Sequence, residues 1–168
     1  MSDTTNPGQT ATAIAEGPVF TEQTWDLEYH HALGETASRF MQGLAEGKIL
    51  GRRSVDGRVL VPARSYDDRT HSKTGEWVEV GNTGTIEMST FVYEPFKGLP
   101  APPYAIAYAT LDGADTALVG YVRGVDLADQ AAAIKAIAIG TPIVVRFAEE
   151  PTGTAADYWF ELAQPVSE

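Results

Sequence analysis

The sequence predicts a mainly β protein built on a small closed barrel of the OB type. Three observations predict it. Strand-like runs follow one another from Trp77 to Leu162: "WVEV", "GTIEMSTFVYEPF", "YAIAYATL", "ALVGYV", "PIVVRF" and "DYWFEL". Turn signals separate them, at Gly81-Asn82, at Gly98 with Pro100, Pro102 and Pro103, at Asp112-Gly113, and at Pro151 with Gly153. The first barrel run is long enough to bend, and the helical piece "DLADQAAAIKAIAIG" falls between the third and the fourth, as in a five-stranded OB barrel. A β-sandwich of the same runs is the alternative. No repeat with a period of about 20–50 residues is visible.

The elements before the barrel are read in order. The stretch up to about residue 20 is rich in Ser, Thr, Gly and Pro and reads as a flexible tail. "TWDLEYHHAL" fits either an extended arm or a helix, and the arm is preferred because Trp25, Leu27 and Tyr29 alternate. "GETASRFMQGLAEGK" reads as a helix. Ala37, Phe40, Met41 and Leu44 form one apolar stripe, Glu35 and Lys48 suit the helix dipole, and Gly47 is a stop. From Gly51 to about Gly75 come short strands and two turns, with "GRVLVP" the clearest strand, ended by Pro62. The later helix is expected over Asp126 to Gly140, capped by Asp126. The expected organisation is a tail over 1–20, an arm and helix over 21–50, a ribbon over 51–76 and the barrel over 77–164.

Composition narrows the function classes. Apolar residues make up 43% of the 168, enough for a real core. No apolar run reaches the roughly 18 residues of a membrane span, and no basic-then-apolar leader opens the chain. A cytoplasmic protein is the expectation. The net charge of −11 argues against a nucleic-acid or anionic-membrane binder. The charge is uneven. Eight of the twelve Lys and Arg lie between Arg39 and Lys73 beside only four acids, so that stretch is +4 and the remainder −15. A positive island in an acidic chain suits a small polyanion or an acidic partner.

No catalytic set stands out. There is no Cys, no nucleophile-elbow G-x-S-x-G and no Gly-rich phosphate loop. The acid pairs Asp67-Asp68 and Glu149-Glu150 read as turns with solvated charge, because adjacent side chains seldom converge on one reacting atom. His30-His31 reads as surface rather than as a ligand pair.

"SRFMQGLAEGKILGRRS", "DGRVLVPAR", "EWVEVGNTGTIEMSTFVYEPFKGLPAPPYAIAYATLDGADTALVGYV": from about Trp25 to Leu162 these segments, in this order, resemble the zinc-ribbon and OB-fold family that accompanies thiolases, domain of unknown function thirty-five. The resemblance implies a rubredoxin-like ribbon in front of the barrel. Relatives place a Cys-x-x-Cys pair on each side of "GRVLVP" to close a tetrahedral zinc site. Here the corresponding positions are Ser54, Asp56, Asp67 and Thr70, and the first knuckle is one residue short. The ribbon is expected to be degenerate, with no metal bound. Asp56 or Asp67 paired with Arg52, Arg53 or Arg69, and Val55, Leu60 and Tyr66 as apolar anchors, are the candidates to hold it, packed against the barrel or a partner.

The resemblance also implies a non-catalytic companion of a thiolase-fold enzyme acting on an acyl-CoA thioester by thiolysis, Claisen or retro-aldol chemistry. Such a chain would stabilise its partner and help form the CoA and acyl channel, in a two-plus-two heterotetramer. Some relatives also bridge to a second acyl-CoA enzyme such as a hot-dog-fold hydratase. Arg52, Arg53, Arg58 and Arg64 are the candidates for CoA phosphates, with coenzyme A shared with the partner. Trp25, Leu27, Tyr29, Phe40, Phe96 and Leu99 are the candidates for partner binding, the last two because they stand among prolines in "EPFKGLPAPPY". The rivals are a nucleic-acid-binding OB domain with Phe91, Tyr93 and Tyr108 as stacking platforms, and a stand-alone acyl-CoA-binding protein.

Overall fold

The computed structural model describes residues 11–12, 20–25, 27–28 and 30–163. The chain divides into two units, 1–32 and 33–168. In the first, β1 (Ala11–Thr12) pairs antiparallel with β2 (Phe20–Thr21). The rest of the expected tail over 1–20 lies outside the described residues. The described residues from Glu22 to Ala32 carry neither helix nor strand.

The second unit opens with α1 (Gly34–Ala45), whose Phe40, Gly43 and Leu44 face inward. The helix ends as its sequence dictates. Gly47 adopts the left-handed conformation, the Gly47 N–H donates to Leu44 C=O, and the Lys48 N–H donates to Gly43 C=O. Lys48 therefore lies beyond the last turn and sits between the carboxylates of Glu46 and Glu79. Gly43 permits close packing, because a Cβ there would stand 2.8 Å from the Leu50 side chain.

Next comes a three-stranded antiparallel sheet in the order β4-β3-β5, with β3 Leu50–Arg53, β4 Val59–Leu60 and β5 Trp77–Glu79. The run "GRVLVP" forms a shorter strand than its apolar pattern suggests, and "WVEV", first of the runs from Trp77 onward, pairs with β3 rather than within the barrel. The strand stops at Pro62, which has no N–H to donate to β3, and its other edge is taken by the barrel. The Val59 N–H donates to Asp115 Oδ2 at 2.8 Å, and the Asp115 N–H donates to Val59 C=O at 2.8 Å. The Val61 N–H donates to Thr116 Oγ1 at 2.7 Å, and that hydroxyl donates to Val61 C=O at 2.8 Å. A turn of the barrel thus stands where another strand would pair, so the ribbon packs on the barrel.

The barrel is one closed sheet in the order β10-β8-β7-β6-β9, which excludes the sandwich. Its strands are β6 (Thr83–Val92), β7 (Tyr104–Leu111), β8 (Leu118–Arg123), β9 (Pro142–Phe147) and β10 (Tyr158–Leu162). Closure needs a strand that serves two neighbours. β6 pairs with β9 through Thr83–Thr85 and with β7 along its length, with a register shift between Ile86 and Met88. Inside, Ala105, Ala107 and Ala109 form a column of small side chains on β7. That column and Gly120 leave room for Phe160, whose ring would be 2.9 Å from a Cβ at position 120.

The helix between the third and fourth barrel strands is α2 (Gln130–Ala136), shorter than the expected Asp126–Gly140. Its cap is Asp129, which accepts from the Ala132 N–H at 3.0 Å; Asp126 instead closes a turn on the Ala128 N–H. The helix stops because the end of the barrel claims the residues after it. Ile137 is fully buried and its C=O accepts from the Ser89 hydroxyl, while the Gly140 N–H donates to Ile86 C=O.

The ribbon–barrel clamp generates a stability prediction. Asp115→Ala leaves the Val59 N–H without its carboxylate partner, a loss of about 1–3 kcal/mol. We expect thermal unfolding in calorimetry to fall by about 3–10 °C, with Thr116→Val behaving alike.

Candidate functional site

Three of the four ribbon positions set apart by the sequence meet at one carboxylate. Asp67 Oδ2 accepts from the Ser54 hydroxyl, from Thr70 Oγ1 at 3.2 Å and from Arg58 Nη2 at 2.7 Å. Asp67 Oδ1 accepts from the Arg69 N–H at 2.9 Å. Asp67 is 1% exposed. The fourth position, Asp56, grips the same arginine from the other side, accepting from Arg58 Nε at 2.8 Å. The Arg58 guanidinium therefore ties the first turn to the second.

A carboxylate removed from water has to be surrounded by donors or a cation, and here it has both. The Ser54 hydroxyl, then the Arg69 N–H, Arg58 and Thr70, hold Asp67 far below the usual carboxylate range against the opposing effect of burial. Arg58 lowers Asp56 in the same way, chiefly by its side-chain hydrogen bond. The expected pairing of these acids with the side chains of Arg52, Arg53 or Arg69 does not occur: the cation is Arg58. Nor do Val55 and Tyr66 anchor the turns, since both are exposed; Leu60 does, fully buried. Asp67 is likewise no solvated turn acid.

The four arginines read as phosphate candidates each have partners inside the chain. Arg58 lies in the Asp67 cluster. Arg52 Nη2 donates to Thr74 C=O at 2.8 Å, and its guanidinium lies 4.9 Å from the Trp77 ring. Arg53 donates to Glu76 Oε1 at 2.6 Å and to Gly57 C=O at 3.0 Å. Arg64 Nη1 stands 3.4 Å from Asp68. Arg53 and Arg64 keep 41% of their side-chain surface exposed and are paired with exposed acids.

Of the residues read as partner-binding, Trp25 and Leu27 are exposed on the arm, and Phe96 and Leu99 on the loop between β6 and β7. Tyr29 lies outside the described residues. Phe40 is corrected: at 6% exposure it belongs to the core, on the inner stripe of α1. Of the three proposed stacking platforms, Phe91 packs against the core, leaving Tyr93 and Tyr108 exposed. An outer barrel face was missed. Met88, Tyr108 and Val119 stand side by side on β6, β7 and β8, all exposed. Its signal was available, because "YAIAYATL" has no charge on either alternation.

The cluster sets a pH dependence. Because the Asp67 carboxyl is held below its unfolded value, its stabilisation is complete above about pH 4 and is lost as pH falls below that. Asp67→Asn should lower the melting temperature at pH 7 by on the order of 10 °C. It should also flatten the acid limb of stability below about pH 4. Thermal melts across pH 2.5 to 7 are the measurement, taking the ordinary aspartate value of about 3.9 as the reference.

Comparison with known proteins gives the fold relatives. Residues 77–148 match the family model described as the ChsH2 C-terminal OB-fold domain. No curated protein matches the sequence. Among solved structures, a chain of the "Ltp2-ChsH2(DUF35) aldolase" is similar, with a TM-score of 0.60, 18% identity, and coverage of 79% of this chain and 98% of that one. A DUF35-family protein of unknown function from Sulfolobus solfataricus is similar with a TM-score of 0.56, 22% identity, and coverage of 77% and 87%. Residues 77–148 are thus similar to the ChsH2 C-terminal OB-fold domain, and the chain shares its fold with these two DUF35 structures.

Proposed function

We propose that this chain is a non-catalytic companion subunit of a thiolase-type enzyme that acts on an acyl-CoA thioester. The observation that carries the reading is the match of residues 77–148 to the C-terminal OB-fold domain of ChsH2, a protein whose DUF35 part is paired with Ltp2 in a similar aldolase structure. Trp25, Leu27, Phe96 and Leu99 are large apolar side chains left in water, and burying each against an enzyme contributes about 1.5–3 kcal/mol. The complex is a two-plus-two heterotetramer in this reading. A second acyl-CoA enzyme, such as a hot-dog-fold hydratase, is a further candidate partner.

The ribbon, degenerate in this reading, keeps its shape through the Asp67–Arg58 cluster instead of zinc. Of the basic island, Arg53 and Arg64 are the residues suited to CoA phosphates. Their present partners are exposed acids, which a phosphate displaces at small cost because exposed ion pairs contribute only about 0–1 kcal/mol. Arg52 and Arg58 serve the fold.

Two experiments test this. The tagged chain, recovered from its native cells, should bring down a thiolase-fold enzyme, and light scattering of the co-expressed pair should give two chains of each. A free chain beside a fully active enzyme would sink the proposal. In the co-expressed complex, Arg53→Glu with Arg64→Glu should raise KM for the acyl-CoA several-fold at low salt and leave kcat unchanged. Separately, elemental analysis should find well under one zinc per chain, and a chelator should leave the melting temperature unchanged; a stoichiometric zinc that resists dialysis would refute the metal-free ribbon.

A further inference from the structure

The outer wall of the barrel is apolar on a side where an open β surface is ordinarily polar. Cross-strand register arranges it in rows. Met88 pairs with Tyr108 and Tyr108 with Val119; Thr90 pairs with Ile106 and Ile106 with Tyr121; Val92 pairs with Tyr104. Met88, Tyr108 and Val119 are 55%, 43% and 41% exposed. Tyr104 meets Tyr121 edge to face at 5.5 Å, so two of the rings are already ordered. The opposite alternation of β7 is the buried alanine column. The strand thus has the composition of one covered on both faces. Beside it, a hollow of about 210 Å³ between Ile106, Val119, Tyr121 and Ala155 has room for one protruding side chain of a facing surface.

Charge identifies the occupant. Two copies of a chain with net charge −11 repel over most of their surface. These rows are free of charge except at two corners. Glu87 precedes Met88 on β6 and accepts from the Thr110 hydroxyl, and Arg123 follows Val122 on β8, where it lies exposed over the Trp159 ring at 4.0 Å and opposite Glu161. The two corners are diagonally opposite. A two-fold axis lying in the contact plane across the other diagonal sets each Glu87 against the second copy's Arg123. The face is therefore complementary to itself in shape class and in charge, as an isologous contact requires.

We propose that the outer face of β6, β7 and β8 is a self-association surface on which two copies of this chain pack face to face. The exposed and half-exposed side chains leave on the order of 400 Å² of apolar surface per copy. Two such faces with their rims reach about 1,000 Å², the size of a weak and reversible pair. The contact uses none of Trp25, Leu27, Phe96 and Leu99, and it holds whether or not an enzyme partner binds those residues.

The experiment is sedimentation velocity of the full chain alone, from about 1 to 300 µM. The expected result is a monomer–dimer equilibrium with a dissociation constant in the micromolar range. Tyr108→Glu and, independently, Val119→Lys should raise that constant at least about tenfold, with melting temperature checked for each. Glu87→Arg or Arg123→Glu alone should weaken the pair, and the two together should restore it, which a merely structural role would not do. A monomer across the whole range overturns the proposal. So does a dimer indifferent to both Tyr108→Glu and Val119→Lys. If the chain is monomeric and Tyr108→Glu abolishes co-purification with the enzyme, the face belongs to the enzyme and self-association is refuted.

Discussion

A carboxylate with almost no access to water is the constraint around which the ribbon is arranged. Asp67 is ionised in the fold, so every lone pair it presents has to meet a donor. Two hydroxyls, one amide and one guanidinium do so, and they come from both turns of the segment. A tetrahedral metal fixes two turns by drawing four ligands to one positive centre. Here the geometry is inverted: donors gather round a negative centre, and the compensating cation, Arg58, is a side chain of the ribbon itself.

That arrangement alone does not stabilise a segment with so few buried apolar residues. The rest comes from the barrel. Asp115 and Thr116 present a carboxylate and a hydroxyl to β4 in the way that a neighbouring strand presents its backbone, and Val59, Leu60 and Val61 are buried beneath that clamp. The barrel interior is in turn filled by complementary sizes, with the alanines of β7 and Gly120 of β8 leaving room for Phe160 on β10. Ribbon and barrel thus pack together in one compact unit, on which the β6–β7 loop and the outer barrel face are exposed.

The barrel was legible in the sequence because each strand alternates against a single core, and because turn residues mark where the strands end. Strand number, the bent first strand and the place of α2 came from that pattern. What escaped were features decided by three-dimensional competition. Asp126 and Asp129 are equally good caps in isolation, but Asp126 closes a turn on the Ala128 N–H and the helix begins after Asp129. Phe40 is an exposed aromatic or a core residue depending on which way α1 turns its stripe. Asp67 beside Asp68 looks like an ordinary pair of turn acids; only the fold brings Ser54 and Arg58 to it across 13 and 9 residues. The outer barrel face is hidden from a pattern that follows only the inward alternation, since "YAIAYATL" is uncharged on both sides.

The clamp on β4 also orders events in time. Val61 and Thr116 are 55 residues apart in the chain. At synthesis rates of about 5–20 residues per second, roughly 3–11 s separate their emergence from the ribosome. Through that interval the ribbon lacks the surface that satisfies its edge, and its backbone groups are left to water. Completion of the ribbon therefore waits for the β7–β8 hairpin, so the segment nearer the N-terminus is finished after one nearer the C-terminus. A closure over that sequence distance is entropically costly and slow compared with the hairpin it depends on.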